Sequence, residues 1–277
     1  MKEARENQTP WHGIFFKVER TLYRGRSPYQ KIELVRNKAF GRVLLLDGLV
    51  QTTDADEFFY HEMLVHPALS LHRRPLDVLI IGGGDGGALR EVLRHPVRKA
   101  WLCEIDGQVI EVCKRHYPWL RRDFADPRAE LVVADGNAFI RSTRDRFDVI
   151  LVDSSDPVGP STVLHSRAFY AALKAILKPG GIIAAQAGSL LYHQEQHRAK
   201  YRFLKKMFRH ADFYLCPVPT YPGGTWCFVY LSDDVAPLGP KRKKPVPGLR
   251  YYNPGVHEAA FALPNFLRTA IGLDPKR

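Results

Sequence analysis

The feature that most constrains the fold of this chain is an alternation of apolar runs and helical segments that begins at Asp77. The first run, residues 77–81, is short and nearly continuously apolar, which is typical of a buried parallel strand. Similar runs predict strands at 99–105, 130–134, 148–152 and 181–186, with helices at 88–94, 109–115 and 167–177 between them. Such alternation predicts a doubly wound parallel sheet that binds ligands at the carboxyl ends of its strands.

The segments on either side complete this picture. A turn is predicted at 178–181, a helix at 197–208, and strands near 213–216 and 227–231. Before the alternation, β-branched and aromatic residues predict strands at 14–18, 30–35 and 42–46, and Asp47-Gly48 predicts a hairpin. A helix is expected to begin with Asp54 as its N-cap, with Glu57 in a variant of the capping box, and to end before Arg73. We therefore predict an N-terminal β-strand domain with a connecting helix at 1–73 and a catalytic α/β domain at 74–277.

Composition places the chain among ordinary globular proteins, with 45% hydrophobic and 25% charged residues. We find no apolar run of membrane-spanning length and no signal-type stretch at the start, so a cytoplasmic location is expected. The cysteines at 103, 113, 216 and 227 form no C-x-x-C pair and are predicted to be reduced thiols in or near the core.

The net charge of +12 is a feature often found with polyanionic partners. The basic residues are scattered, however, and the run at 241–244 is flanked by prolines, which favours a solvated linker over a nucleic-acid patch. No nucleic-acid partner is expected. A cationic substrate would require local acidic groups that overcome this overall charge.

A glycine-rich loop at 82–87 follows the first predicted strand and leads into a helix, which lets a ligand approach the backbone closely. Alone this loop suits NAD, FAD or S-adenosylmethionine equally. Glu104 ends the second strand, where an acid binds ribose hydroxyls, and Asp135 before Gly136 ends the third, where it can accept from an exocyclic amine. The simpler alternatives are a solvated strand end for Glu104 and a turn residue for Asp135.

Asp85 lies inside this loop and distinguishes the candidate ligands. It would repel the pyrophosphate of a dinucleotide or the carboxylate of S-adenosylmethionine, but it suits a ligand whose tail ends in an ammonium group. Decarboxylated S-adenosylmethionine is such a ligand. Asp85 is also placed to cap the following helix, and the two roles are compatible.

A second acidic cluster, Asp153 and Asp156, follows the fourth strand within a proline-braced turn. An aliphatic amine has a pKa near 10.4 and must lose a proton before it can attack, and a nearby carboxylate can accept that proton. We assign this role to Asp153 and the binding of the attacking end to Asp156. A structural turn is the alternative.

Aromatic residues are expected to line the methylene chain of such an amine. Tyr60 and His61 on the first helix and Tyr221 in a proline-rich segment are candidates. From spacing alone, the two tyrosines suit the core equally well, and His61 suits a packed position beside an apolar helix face.

Together these motifs resemble the polyamine aminopropyltransferase family, the spermidine synthases, over nearly the whole chain from Trp11 onward, with a bacterial-type tail at 251–264. The matching segments are 29–30, 41–51, 56–63, 82–87, 90–91, 104–106, 126–128, 135–136, 153–160 and 219–221. The resemblance implies a Rossmann-like sheet of the AdoMet-methyltransferase type with a small N-terminal antiparallel β domain. One departure is Ala187-Gly188 after Gln186, where many members carry an acid two residues on, and it leaves the length of the acceptor amine open.

The resemblance also implies a reaction, the transfer of the aminopropyl group of decarboxylated S-adenosylmethionine to putrescine. It implies no metal or redox cofactor, and a homodimer or homotetramer with the N-terminal sheet involved in assembly. The nucleoside contacts it implies are Gln30, Asp85, Glu104, Asp135, Gly136 and Pro160. The amine contacts it implies are Tyr60, His61, Asp153, Asp156 and Tyr221, with Asp153 as proton acceptor.

Other functions remain to be separated from this one. Cadaverine, agmatine or spermidine could replace putrescine as the acceptor. A methyltransferase that uses S-adenosylmethionine itself is disfavoured by Asp85 and by the Asp153 and Asp156 pair. A basic nucleic-acid-binding protein without catalysis is disfavoured by the same acidic cluster.

Overall fold

The computed structural model of the protein describes residues 2–154, 159–240 and 246–273, with the side chains of 159–161 left out. The amino-terminal part is antiparallel, with a hairpin of β1 (Glu3–Thr9) and β2 (His12–Lys17). A four-stranded sheet follows, with β3 (Arg20–Arg26), β4 (Lys31–Asn37), β5 (Gly41–Leu46) and β6 (Leu49–Thr53) in chain order. The predicted hairpin is confirmed, because Asp47 and Gly48 connect β5 to β6 with φ of 49° and 84°, the positive values that a tight turn of this kind needs.

The first helix, α1 (Glu57–Leu71), ends before Arg73 as predicted, but the prediction of its start at Asp54 is wrong. Asp54 instead accepts hydrogen bonds from the backbone N–H of Arg42 at 2.8 Å and from its Nε at 3.0 Å. Asp56 is the N-cap residue of α1, but its side chain makes no capping hydrogen bond. A contact distant in sequence has therefore overridden a local capping signal.

The second sheet has seven strands in the order β12-β13-β11-β10-β7-β8-β9. The neighbours from β11 to β9 in this order are parallel, whereas β13 and β12 add antiparallel edge strands. This sheet and the N-terminal β part confirm the predicted fold class. Its strands are β7 (Asp77–Gly82), β8 (Lys99–Glu104), β9 (Ala129–Val133), β10 (Phe147–Asp153), β11 (Leu177–Ser189), β12 (His210–Pro217) and β13 (Thr225–Ser232).

Helices cover both faces of this sheet, since alternate residues of β7 pack into different cores: Val78 and Ile80 on one side, Leu79 and Ile81 on the other. The helices are α2 (Gly87–Leu93), α3 (Gly107–His116), α4 (Leu120–Phe124), α5 (Gly136–Ser142), α6 (Arg167–Ile176), α7 (Gln194–Met207), α8 (Pro254–Ala260) and α9 (Asn265–Ile271), with a 3-10 helix at Gly159–His165. β7 pairs with both β8 and β10, so the chain order reverses there and a crevice opens at the carboxyl ends of these strands.

Three smaller expectations have different outcomes. The turn predicted at 178–181 is an irregularity inside β11, where Leu177 pairs with Phe147 and Ile182 pairs with Val149. All four cysteines are buried and free, as predicted. The division into domains at residue 73 stays a prediction. Among the described residues, the helices are too short or too polar to span a membrane.

Candidate active site

The crevice at the carboxyl edge of the seven-stranded sheet contains a cavity of about 250 Å³. Asp156 lies outside the described residues, and Pro160 lies in the 3-10 helix Gly159–His165 without a described side chain. The other predicted site residues all line the cavity: Gln30, Tyr60, His61, Asp85, Glu104, Asp135, Gly136, Asp153 and Tyr221. Their individual roles stay predictions at this stage.

The glycine-rich loop lies directly against the end of β10. The backbone N–H of Gly83 donates to the carbonyl of Asp153 at 3.1 Å. This contact brings the loop residue Asp85 and the strand-end residue Asp153 to the same wall of the cavity. Asp85 and Asp153, which the sequence assigned to two separate motifs, are therefore parts of one site.

His61 joins these two carboxylates. Its Nε2 lies 3.4 Å from Asp85 Oδ2, and single ligand atoms of His61, Asp85 and Asp153 all lie within 4.8 Å of one another. The hydroxyl of Tyr60 donates to Asp153 Oδ1 at 2.7 Å. Because Tyr60 and His61 are adjacent at the start of α1, this helix supplies one contact to each carboxylate.

His61 is buried, and its neighbours favour the charged form of the imidazole. Burial acts to lower the pKa of its imidazole, but Asp85 and Glu57 together raise it well above the ordinary value of 6.5. Glu57 approaches the other ring nitrogen, with 2.6 Å between its Oε2 and Nδ1. The ring fits only because residue 87 is glycine, since a Cβ there would collide with the imidazole. The packed histidine considered from the sequence is thus an imidazolium held between carboxylates.

The same neighbours give the two aspartates opposite pKa shifts. Burial raises the pKa of Asp153 to about 6, with Asp85 adding to the effect while His61 and the Tyr60 hydroxyl oppose it. Burial acts in the same direction on Asp85, but the charge and hydrogen bond of His61 and the Gly87 N–H lower its pKa below 3.8. Asp85 therefore stays ionised, whereas Asp153 is suited to accepting a proton near neutral pH.

This cluster is suited to binding a cation. Its spacing also fits a metal ion. Both nitrogens of His61 face carboxylates. An organic cation can pair with Asp85 and Asp153 without needing a ring nitrogen of His61 as a ligand.

The residues predicted to bind a nucleoside line the same cavity, with Glu104 beside the glycine-rich loop. Glu104 is only 9% exposed, so the alternative of a solvated strand end is wrong. Its carboxylate accepts from Gly84 N at 3.2 Å and Asp106 N at 2.9 Å, and burial raises its pKa to about 7. Gln30 donates to Asp106 at 2.9 Å, which ties the N-terminal sheet to the end of β8. Asp135 caps α5 through Ala138 N at 3.0 Å.

Aromatic rings also line the cavity. The Tyr221 ring centre lies 5.9 Å from that of Tyr60 and 4.7 Å from that of Trp226. The Trp226 indole N–H donates to Gln186 Oε1 at 3.1 Å, and Gln186 donates to the Ser154 carbonyl at 2.8 Å. Gln186 thus braces the chain directly after Asp153.

Sequence reasoning did not find Glu6 and Trp226, both of which line the cavity. Glu6 is only 6% exposed and accepts from Val50 N at 2.7 Å. The signal for Glu6 was a strand in which Ala4 and Glu6 share the inward face, since a glutamate in such a position needs a reason. No local sequence pattern indicated that Trp226 lines the cavity, because its position there depends on the turn that precedes β13.

Two family models match the chain: the spermine/spermidine synthase domain at residues 57–238 and the spermidine synthase tetramerisation domain at 4–54. The polyamine aminopropyltransferase of Leptospira biflexa is 42% identical over 93% of both chains. That of Caldicellulosiruptor bescii is 43% identical over 96% of both chains.

Solved structures agree with these matches. A spermidine synthase in complex with the transition-state analogue AdoDATO has a TM-score of 0.95 and 41% identity, covering 99% of this chain and 96% of its own. The spermidine synthase of Thermotoga maritima has a TM-score of 0.92 and 40% identity, covering 99% of this chain and 95% of its own.

Proposed function

The chain belongs to the spermine/spermidine synthase family, and we propose that it transfers the aminopropyl group of decarboxylated S-adenosylmethionine to putrescine, giving spermidine and methylthioadenosine. The observation that carries this proposal is that Asp85 and Asp153 line the same wall of the cavity. The pKa values of their carboxylates are shifted in opposite directions. One carboxylate stays charged to hold an ammonium group. The other can take a proton from an attacking amine.

Residues around β8 and β9 would hold the nucleoside end. The ribose hydroxyls would meet Glu104, and the adenine amino group would meet Asp135, beside Gly136. The ammonium group of the aminopropyl arm would pair with Asp85. Gln30 and Pro160 keep their predicted nucleoside contacts as part of this proposal.

The reaction is a substitution at a methylene carbon next to the sulfonium. The amine nitrogen forms the new C–N bond, the C–S bond breaks, and its electron pair remains on sulfur as the thioether of methylthioadenosine. The proton lost by the amine passes to Asp153. No electrons are gained or lost overall, so the proposal includes no redox cofactor.

The acceptor amine would lie between Tyr60 and Tyr221, whose rings suit its methylene chain and its charged ends. Burial raises the pKa of the Tyr221 hydroxyl, and Asp153 and Glu6 are among the carboxylates that add to this effect. We therefore propose Glu6 as the contact for the far amino group. Asp156 keeps its predicted role at the attacking end.

The N-terminal part matches a tetramerisation domain, and we propose that residues 4–54 assemble copies of this chain into a homo-oligomer. A cytoplasmic location also belongs to the proposal.

The test is to incubate the purified protein with decarboxylated S-adenosylmethionine and one amine at a time, and to measure methylthioadenosine. We expect the highest kcat/KM with putrescine, and a lower value with cadaverine, agmatine and spermidine. A preference for another diamine would correct the acceptor. Methyl transfer from S-adenosylmethionine without aminopropyl transfer would refute the proposal.

A further inference from the structure

A row of charged side chains runs from the cavity wall into the protein behind it. Beyond His61, the carboxylate of Glu57 is held by two nitrogens of Arg90 at 3.0 and 2.8 Å. Arg90 Nε also donates to Glu91 at 2.8 Å. The charges alternate along the row, which contains Asp85, His61, Glu57, Arg90 and Glu91.

The row is mostly shielded from solvent, so its contacts are strong and directional. The exposed fractions of the side chains are 4% for His61, 17% for Glu57 and 1% for Glu91. The fork of two hydrogen bonds fixes the plane of the Glu57 carboxylate, because guanidinium and carboxylate match as planar groups. Glu57 can then present a single oxygen to His61 Nδ1.

We propose that Glu57, held by Arg90, is a positioning residue for the transfer: it keeps His61 charged and directed at Asp85, and so leaves Asp153 free to act as the base. This inference rests on the proposed function. Neither residue lines the cavity of the substrates, so both act through His61. His61 in turn neutralises part of the negative charge of the two aspartates while the site is empty.

The groups that face His61, and so affect its pKa, come from several elements. Glu57 and Tyr60 lie on its own helix, Asp85 lies in the loop after β7, and Asp153 ends β10. Arg90 stands behind Glu57. Burial raises the pKa of the Cys113 thiol and of the Tyr117 hydroxyl, and the charge of Asp85 adds to both shifts.

A second cavity gives experimental access to this row. It measures about 420 Å³ and is lined by Glu57, His61, Arg90 and Arg94 among others. It adjoins the first cavity, since both are lined by His61 and Asp85. A small guanidinium compound can therefore reach the space left by a truncated Arg90, and the KM for the nucleoside reports any competition at the shared residues.

The first experiment measures kcat/KM against pH in the wild type and in Glu57→Gln. Losing this carboxylate removes a support for the charge of His61, and His61 is a neighbour that lowers the pKa of Asp153. The pKa of His61 should fall and that of Asp153 should rise. The acid limb of the pH profile, where kcat/KM is lost as pH falls, should therefore move to higher pH by about half a unit or more. An unmoved limb, whether activity is retained or lost, would overturn the inference, because a purely structural role leaves the limb in place.

The second experiment truncates Arg90 and restores it. Arg90→Ala should lower kcat about 100-fold with little change in the KM for the nucleoside, since a misplaced group acts on the chemical step. Millimolar ethylguanidinium should recover at least about a tenth of the lost activity, and Arg90→Lys should keep an intermediate kcat. Failure of ethylguanidinium to restore Arg90→Ala, while that variant still binds methylthioadenosine, would contradict the proposal.

Arg94→Ala is the matched control. Arg94 lines the same second cavity and pairs with Glu91 at 3.1 Å, but its other contact is the Pro247 carbonyl at 2.6 Å. We expect wild-type kcat, an unmoved acid limb and no response to ethylguanidinium. The same loss in Arg94→Ala and Arg90→Ala would show that a general disturbance of the cavity, not Glu57, is responsible.

A third measurement needs no turnover. NMR titration of the protein with ¹³C-labelled histidine, assigned by His61→Gln, should show His61 charged at pH 7.5 in the wild type and in Arg94→Ala. The His61 titration should move to lower pH in Glu57→Gln. If the wild type transfers no aminopropyl group, the proposed function fails. If His61 titrates normally in the wild type, the inference fails whatever the activity is.

Discussion

Aspartates lie at both ends of the parallel strands of the seven-stranded sheet, but their negative charges are balanced to different degrees. The amino edge is where these strands begin, and the carboxyl edge is where they end. Strand β10 contributes to both, with Asp148 near its start and Asp153 at its end. At the amino edge, Lys178 bonds Asp77 at 2.5 Å and Asp148 at 3.1 Å, and Arg98 also bonds Asp77. At the carboxyl edge, Asp153 contacts a tyrosine hydroxyl and lies near one imidazolium that Asp85 shares.

This contrast separates a structural carboxylate from a functional one. Burial acts to raise the pKa of both Asp77 and Asp153, but Arg98 and Lys178 reverse the effect and lower the pKa of Asp77. For Asp153 burial prevails. The negative charge at the carboxyl edge is incompletely balanced by the protein, so a cationic substrate can complete it. The net charge of +12 therefore does not prevent the binding of cations.

The largest effect that would test this contrast is expected for Asp153→Asn. An amide cannot take the proton of the amine, so kcat should fall by about 10³–10⁴-fold while methylthioadenosine binds with the wild-type affinity. Steady-state kinetics and calorimetry measure the two quantities. Asp148→Asn, on the same strand, is the control and should keep kcat within about twofold. Near-normal turnover in Asp153→Asn would remove the distinction between the edges.

The next effect concerns the choice between charged nucleosides. We expect the wild type to bind decarboxylated S-adenosylmethionine about 100-fold more tightly than S-adenosylmethionine, because Asp85 repels the additional carboxylate. In Asp85→Asn the ratio should fall below about tenfold. Calorimetry with both nucleosides measures it. Equal affinities in the wild type would show that Asp85 does not select by charge.

The parts of the fold that were predictable depend on contacts close in sequence. The strands from β7 to β11 were predicted from their apolar runs, and the hairpin was predicted from Asp47-Gly48. The start of α1 was missed, because Asp54 bonds Arg42, which lies 12 residues away. Local patterns contain no information about such partners.

The candidate site shows the same limit. Asp85, Glu104, Asp135 and Asp153 were predicted because parallel strands bring their carboxyl ends together whatever the loops do. The charge of His61 was not predictable, since it depends on two carboxylates and on the missing Cβ of Gly87. The Asp85 and Gly87 contacts require the relative positions of α1 and the start of α2, which no local pattern specifies, whereas Glu57 lies one turn before His61 on α1.

A stability effect should appear at the amino edge alone. Asp77→Asn leaves Lys178 and Arg98 without one of their carboxylates, and we expect the free energy of unfolding at pH 7 to fall by about 1–3 kcal/mol. The pKa of Asp77 is lowered in the fold, so its contribution is present above the unfolded value of 3.8 and is lost as pH falls through the folded value. Urea unfolding at pH 7 and pH 3 should show this difference shrinking in acid. A kcat changed more than about twofold would couple the two edges and contradict the comparison.

The smallest effect is the gradual loss of wild-type activity at low pH, which forms the acid limb of the pH profile. Because burial raises the pKa of Asp153 to about 6, the base form is lost as pH falls through that value, and kcat/KM should decrease about tenfold per pH unit below it. The limb belongs to the cluster of Asp153, Asp85 and His61, which titrate together. Asp77→Asn should show the same limb, since its charges lie at the other edge of the sheet. A limb near pH 4 would mean that Asp153 is as well compensated as Asp77, and the two edges would then differ in position but not in electrostatics.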